Sequence, residues 1–329
     1  MLRVVGSDPG TSSLDLLLLQ DGSVLEQARL DPGCDPAELL STLRRWAPLD
    51  LIAGPSGYGL PLIRAEDLTV RDEELMALVR PEERGRTLGV PGFSNWVQAL
   101  ADSGLPVVFL PGGIHLPTIP KHRKGNAIDL GTPDKLAVAA LALRLDAERS
   151  GRPPTESTFA LIEVGSAFSA VLVIEQGRLV DASAGTRGPI GVRCAGAWDG
   201  EAACWLSPLS KADLFRGGLD DLGDDGPPAF FESLTRSVAG LQAVTTFDRL
   251  YLSGAAAHRP DLADGLQATL SRFGRVVSLP NLPGAWIKHS AQGAALLADG
   301  LAGGKNADLV NVLRLRDASG TVLDHLHFR

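Results

Sequence analysis

Val4-Val5-Gly6-Ser7-Asp8-Pro9-Gly10-Thr11-Ser12-Ser13 and Ala160-Leu161-Ile162-Glu163-Val164-Gly165-Ser166-Ala167 are one pattern written twice. In each, an apolar run ends in a carboxylate. One residue, a glycine and a hydroxyl residue follow, and then a second apolar run begins. Short apolar runs broken by a glycine turn predict two strands joined tightly, with an acid at the turn. Two such hairpins, one in each half, are suited to clamping a single polyphosphate between two lobes. That makes phosphoryl transfer the leading functional expectation.

The surroundings of the two hairpins also repeat. In the first half Leu2–Ser7, Leu14–Gln20 and Val24–Leu30 read as strands, with Asp21-Gly22 as a hairpin turn. Asp35 caps a helix to about Trp46, with Pro36 in its first position. A strand at Leu49–Ala53, a helix at Phe93–Ser103, a strand at Val107–Leu110 and a helix from Thr132-Pro133 to Arg149 complete it. In the second half the strands are Phe159–Glu163, Ser169–Glu175 and Arg178–Ala182, with Gln176-Gly177 as the turn. Then come a helix at Phe230–Thr245, a strand at Arg249–Ser253, a helix at Asp261–Phe273, a strand at Arg275–Leu279 and a helix over Ala285–Leu301. Both halves read β-β-β-α-β-α-β-α, the order of an RNase-H-like lobe, and a repeated order outweighs either copy alone. The expected fold is α/β: two duplicated RNase-H-like lobes, residues 1–152 and 153–329, with a nucleotide cleft between them. Ser150–Thr155 has the composition of the linker. Gly54–Gly92, Pro111–Gly131 and Gly185–Pro228 interrupt the repeat and are candidate substrate-determining loops. Beyond Asn306, Val312–Arg316 and Thr321–Leu326 suggest a terminal hairpin.

The bulk properties narrow the function classes. At 329 residues, 44% hydrophobic and 21% charged, the chain has the mass for two cores. Its net charge of -8 and lack of a long Lys/Arg block argue against nucleic acid as a partner. Three cysteines without a Cys-x-x-Cys suit a reducing compartment. Met1-Leu2-Arg3 runs straight into the first motif, leaving no room for a signal peptide. Leu16–Leu19 is far short of the roughly 18 apolar residues that span a bilayer. A cytoplasmic protein with a small-molecule acceptor, no nucleic acid and no membrane is expected, with a homodimer as a possible assembly.

The motifs suggest roles. Gly10 lets the backbone approach a bulky anion, and the amides and hydroxyls of Thr11, Ser12 and Ser13 can hold phosphate oxygens. Asp8 could hold Mg²⁺, through water. Glu163, Gly165 and Ser166 occupy the equivalent turn of the second half. Ser253-Gly254-Ala255 is a strand-to-helix turn of small residues with space for a base or ribose, and a helix start there favours phosphate. Lys121-His122-Arg123-Lys124, Asn126, Asp129 and Lys135 form a basic loop before a helix. Arg123 suits a phosphoryl or carboxylate clamp, Asn126 could orient an acceptor, and Asp129 is a candidate base. Arg187 is a second candidate cation. The plainer alternative is a solvated basic loop with Asp129 capping the next helix.

Together the two hairpin turns and the Ser-Gly-Ala turn resemble the phosphate-1, phosphate-2 and adenosine motifs of the acetate and sugar kinase/Hsc70/actin ATPase superfamily, over about Leu2–Leu301. Pro120–Lys135 and Ala291-Gln292-Gly293-Ala294-Ala295 are also similar to an uncharacterised family described as predicted butyrate kinases, the domain of unknown function 1464. The resemblance implies an ATP- and Mg²⁺-dependent phosphotransferase. Asp8 and Glu163 would then be the metal-orienting acids, and the three turns would hold the nucleotide. Many superfamily members carry Asp at the position of Glu163 and Gly-Gly at the third turn. A nucleotide-binding regulatory or scaffold protein of the same fold is the alternative.

Overall fold

The structure is a computed structural model that describes residues 1–79 and 90–328. The first half contains β1 (Arg3–Pro9), β2 (Leu14–Gln20), β3 (Ser23–Leu30), α1 (Pro36–Arg45), β4 (Leu51–Gly54), β5 (Ile63–Arg64), α2 (Val70–Ala77), α3 (Phe93–Ala101), β6 (Val107–Phe109), α4 (Lys121–Lys124) and α5 (Pro133–Ser150). The second contains β7 (Phe159–Val164), β8 (Ser169–Glu175), β9 (Arg178–Ser183), α6 (Gly200–Leu206), α7 (Gly226–Gln242), β10 (Arg249–Ser253), α8 (Pro260–Leu270), β11 (Arg275–Ser278), α9 (His289–Leu301) and α10 (Ala307–Val312).

Two sheets result, ordered β3-β2-β1-β4-β6-β5 and β9-β8-β7-β10-β11. In each, the first three strands are antiparallel and the next two lie parallel to the first. The duplication therefore extends to topology, and the fold is the two-lobed actin-like ATPase architecture. The edge strand β5, antiparallel to β6, is the addition; it arises from the Gly54–Gly92 insertion, whose residues 80–89 lie outside those described. Local chemistry matches the elements. Asp21-Gly22 and Gln176-Gly177 have positive φ at both positions, 49° and 78° and 49° and 74°, as two-residue hairpin turns require. Asp35 accepts the Ala37 amide at 2.8 Å, with Pro36 opening α1. Leu14–Leu19 of β2 is buried at every position, because helices cover both faces of the sheet.

The last long helix leaves its own sheet. α9 follows β11 but packs on β1, β2 and β4 of the first lobe and crosses α5. Small residues permit this. A Cβ on Gly6 would overlap backbone atoms of Ala291 and Ala295, and one on Gly293 would overlap the Ala137 carbonyl. The run Ala291–Ala295 is thus a close helix crossing. One core joins α5 and α9 to Phe159, Leu161 and Leu172 of the second sheet. A second core lies on that sheet's other face, under α7 and α8. Gly293→Ala gains about 1 kcal/mol of helix propensity but meets backbone that cannot rotate away. We expect a net loss of about 1–3 kcal/mol, read as a lower denaturant midpoint; an unchanged midpoint would show the crossing to be loose.

The terminal hairpin does not form. Its first strand is replaced by α10 and a short 3-10 turn at Leu315–Asp317. Leu309, Val310 and Leu313 are buried at a helical rather than an alternating spacing, and Arg314 ends the run in the left-handed region at φ 55°. Thr321–Leu326 is turn-rich: Asp324 accepts the Thr321 amide and hydroxyl at 2.8 and 2.6 Å. Among the described residues, no helix is long and apolar enough to cross a membrane.

Candidate active site

The two hairpin turns are alike at the level of atoms. Gly10 donates its amide to the Ser13 carbonyl, and Gly165 to the Phe168 carbonyl, each at 2.9 Å. The turns face each other across the cleft: Thr11 Oγ1 and Ser166 Oγ are 3.0 Å apart. Arg193 spans them, donating from Nη2 to Thr11 Oγ1 at 3.0 Å and from Nε to the Ser166 carbonyl at 3.1 Å. The third turn closes on the second. Gly254, at φ 102°, abuts the Val164 backbone so closely that a Cβ would overlap its carbonyl. A cavity of about 440 Å³ is lined by Asp8, Gly10, Thr11, Ser12, Glu163, Gly165, Ser166, Ser253, Gly254 and Ala255, with Lys288 and His289 from the start of α9.

Ser13 is the exception among the turn residues. It is buried and donates to Asp15 Oδ1 at 2.7 Å, so it supports the turn from behind and does not face the cavity. Asp15 was not singled out from sequence. It is fully buried and also takes two bonds from Arg29, at 3.0 and 2.9 Å, and the Lys288 amide at 3.0 Å. Burial alone would raise its pKa, but the donors from Arg29, Lys288 and Ser13 outweigh it and hold the carboxyl below the usual range. This carboxylate ties the entry of α9 to the first hairpin.

Five charges meet at the inner end of the cleft. Lys288 Nζ lies 3.3 Å from Asp8 Oδ2. Lys135 Nζ lies 2.6 Å from Asp134 Oδ2 and 3.0 Å from Glu163 Oε2. Burial pushes the Asp8 and Glu163 carboxyls up, with Lys288 and Lys135 respectively opposing. Burial pulls the Lys135 ammonium down, but Asp134 and Glu163 outweigh it and the net direction is up. Burial also raises Asp134, which Lys135 and the Thr132 hydroxyl overcome, leaving it lowered. Glu163 Oε2 is paired with the Lys135 ammonium, which opposes the cost of burying the carboxyl. Two buried carboxylates lining one cavity, Asp8 and Glu163, fit a hard divalent ion. Mg²⁺ suits such a pair because it keeps several waters and completes its shell with phosphate oxygens. Among the described residues no group of three or more His, Cys, Asp or Glu side chains is arranged to hold a metal unaided.

A second cavity, of about 1090 Å³, is lined by Asn126, Asp129 and Arg187 and by residues from all three interrupting stretches. The two cavities share Pro9, Val90, Asp134, Lys135, Phe168 and Phe215 as common wall. Asp129 accepts the Gly131 amide on Oδ1 at 2.8 Å. Burial raises its pKa to about 6, against that hydrogen bond. It does not cap α5, whose N-cap is Thr132. Arg187 is exposed at the rim. Asn126, at φ 53°, fastens the tail: its amide donates to the His325 carbonyl and its Oδ1 accepts the His327 amide, both at 2.8 Å.

Arg123 is not brought to either cavity. Its guanidinium donates to the Val180 and Val244 carbonyls at 2.9 and 3.0 Å and sits 3.3 Å from Asp181. Each of its three nitrogens thus contacts the second lobe. The expected clamp is instead an inter-lobe fastener, because α4 faces β9 and not the cleft. Sequence reasoning named Lys135 only as part of the loop, and missed Lys288 and Asp134. A Thr-Pro helix start followed by Asp-Lys is a usable signal for Lys135, whereas no local signal links Lys288 to Asp8 across 280 positions.

The chain belongs to the family described as Protein of unknown function (DUF1464), whose model matches residues 6–328. No curated protein matches it in sequence. Among solved structures it is similar to a propionate kinase from Francisella tularensis subsp. tularensis SCHU S4, at TM-score 0.60 and 12% identity over 90% of this chain and 98% of that one. It is also similar to an acetate kinase from Porphyromonas gingivalis, at TM-score 0.55 and 13% identity over 83% and 88%. An acetate kinase from Entamoeba histolytica gives TM-score 0.54 and 10% identity over 82% and 87%. At these identities the likeness is one of fold.

Proposed function

We propose that this member of the DUF1464 family is an ATP- and Mg²⁺-dependent small-molecule kinase acting on a hydroxyl or carboxylate acceptor. The observation that carries this is the common wall. A cavity lined by all three nucleotide-type turns meets a larger one lined by Asp129 and Arg187 at Asp134 and Lys135. In this reading the Gly10–Ser12 and Gly165–Ser166 turns hold the phosphates of ATP, with its adenosine against Gly254 and Ala255. Asp8 and Glu163 would hold Mg²⁺, which when bound offsets phosphate charge. Lys135, at the junction, supplies a fixed positive charge where the phosphoryl group passes between cavities. Arg187 faces the acceptor side, and Asp129 takes the proton of a hydroxyl acceptor.

Mg·ATP should raise the melting temperature, and a metabolite panel should contain at least one acceptor that releases ADP. No thermal shift with Mg·ATP sinks the proposal. The closed contact between Thr11 and Ser166, spanned by Arg193, favours a second reading, a nucleotide-gated regulatory protein. It predicts the thermal shift without any acceptor-dependent ADP release.

Asp129 also sets a pH dependence for a hydroxyl acceptor. It works as a base only when ionised, and Asp134, Lys135 and Tyr58 are the titratable groups that act on it. Turnover should fall as pH drops below about 6, measured as kcat/KM against pH. Stability runs the other way. With its folded pKa raised, Asp129 binds more protons folded than unfolded, so its ionisation lowers stability as pH rises through about 6.

A further inference from the structure

We infer that the acceptor is an alcohol with an extended apolar body, seated in the larger cavity with its hydroxyl at Asp129, and not a short-chain carboxylate. The inference rests on the kinase reading above. The cavity, about 1090 Å³, is slightly larger than the usual range for drug-sized ligands; an acid of two to four carbons would leave most of it filled with water. Much of its wall is apolar: Tyr58, Met76, Phe93 and Leu326 line it away from the junction and Phe168 and Phe215 at the junction, with Arg187 and Lys211 among the polar side chains between them. Three of these rings make defined contacts. Phe168 and Phe215 meet edge to face at 5.1 Å, and the Lys211 ammonium lies 4.7 Å from the Tyr58 ring centroid. Tyr58, Met76 and Phe215 come from the stretches that interrupt the duplicated scaffold, while Phe93, Phe168 and Leu326 come from α3, the second hairpin and the tail, so insertions and lobes build the pocket together.

The polar end selects the reacting group. Asp129 has Oδ1 tied to the Gly131 amide, while Oδ2 takes no hydrogen bond among the described residues and is backed by Gly185, where a Cβ would stand 2.5 Å away. No lysine or arginine forms an ion pair with it among the described residues. A carboxylate acceptor brought here would add a second negative charge beside the first. It would also need no base, being ionised already. An alcohol meets both conditions: it donates a hydrogen bond to Oδ2 and has a proton to lose. In the reaction, the acceptor oxygen forms a bond to the γ-phosphorus. The bond from that phosphorus to the β,γ-bridging oxygen breaks, with its electron pair leaving on ADP. The hydroxyl proton passes to Asp129, which later returns it to water.

The test uses the full chain with Mg·ATP and two series of probes. One is ethanol, 1-butanol, 1-hexanol and 2-phenylethanol; the other is acetate, propionate, butyrate and hexanoate. ADP release is followed with hydroxylamine present, because an acyl phosphate is trapped as a hydroxamate and a phosphate monoester is not. In the alcohol series kcat/KM should rise roughly three- to fourfold per added methylene, with no hydroxamate from the acids. Asp129→Asn keeps the shape and the Gly131 hydrogen bond; it should lower alcohol turnover about 10²- to 10⁴-fold while the Mg·ATP thermal shift persists. Hydroxamate from any acid, an alcohol series that does not rise with apolar size, or unchanged turnover in Asp129→Asn overturns the inference. Loss of the Mg·ATP shift in the unaltered protein would instead overturn the kinase reading beneath it.

Discussion

Asp8→Asn should remove metal-dependent turnover, by about 10²- to 10³-fold or more, while leaving the protein folded. The two effects separate because of where the charge sits. Asp8 ends β1, is only 5% exposed, and has its carboxyl pushed up by burial, against the pull of Lys288. Its ionised form therefore costs stability at neutral pH; the contribution is favourable only when the group is protonated and is lost as pH rises through its raised pKa. Replacing the carboxylate with an amide removes that cost. Lys288 loses an ion-pair partner but keeps the Ser13 carbonyl at 3.2 Å and is one-quarter exposed, so it does not become a stranded buried charge. The expected denaturant midpoint is the same or slightly higher, with turnover gone, which is the pattern of a group kept for chemistry at a cost to stability. Turnover within tenfold of the unaltered protein would remove Asp8 from the metal-holding role.

Such a group is legible in sequence because the strand that carries it is. β1 and β7 are apolar runs ending at an acid, and both the runs and the glycine turns after them are local signals. The duplicated strand order is also local, repeated along the chain, and both sheets have the topology it implied. What was not legible depends on contacts made far along the chain. Arg123 lies in a cluster of four basic residues, an attractive anion site on composition alone, yet its direction is set by Val180, Asp181 and Val244 of the other lobe. Ser13 belongs to the phosphate turn by position, but the buried Asp15 beside it claims its hydroxyl. The tail offered β-favouring residues, and packing against α9 made a helix of them. In each case a local pattern was outweighed by a partner that no nearby residue announces.

Lys135 is the sharpest instance, and its removal should have the second-largest effect. Lys135→Met keeps the length and apolar stem of the side chain while deleting the ammonium that faces both Asp134 and Glu163. Those carboxylates then repel each other and Asp8. Breaking a buried pair from one side costs about 3 kcal/mol at the low end of measured cases; the low end applies because the Asp134 side chain is still 32% exposed. The sign of the pH dependence follows from the raised Lys135 pKa. A cation stabilised in the folded state contributes fully below its unfolded pKa, so the loss should be present across the neutral range and should not be recovered by mild acid until the carboxylates protonate. Turnover should fall as well, since the charge at the junction of the cavities disappears. A second substitution separates electrostatics from packing. Lys135→Met with Glu163→Gln removes one of the stranded charges and should recover part of the lost stability, while turnover stays low. If the double variant is no more stable than Lys135→Met alone, the methionine has disturbed packing and the charge argument fails. If the single variant keeps both its stability and its turnover, Lys135 is a bystander at the wall the two cavities share.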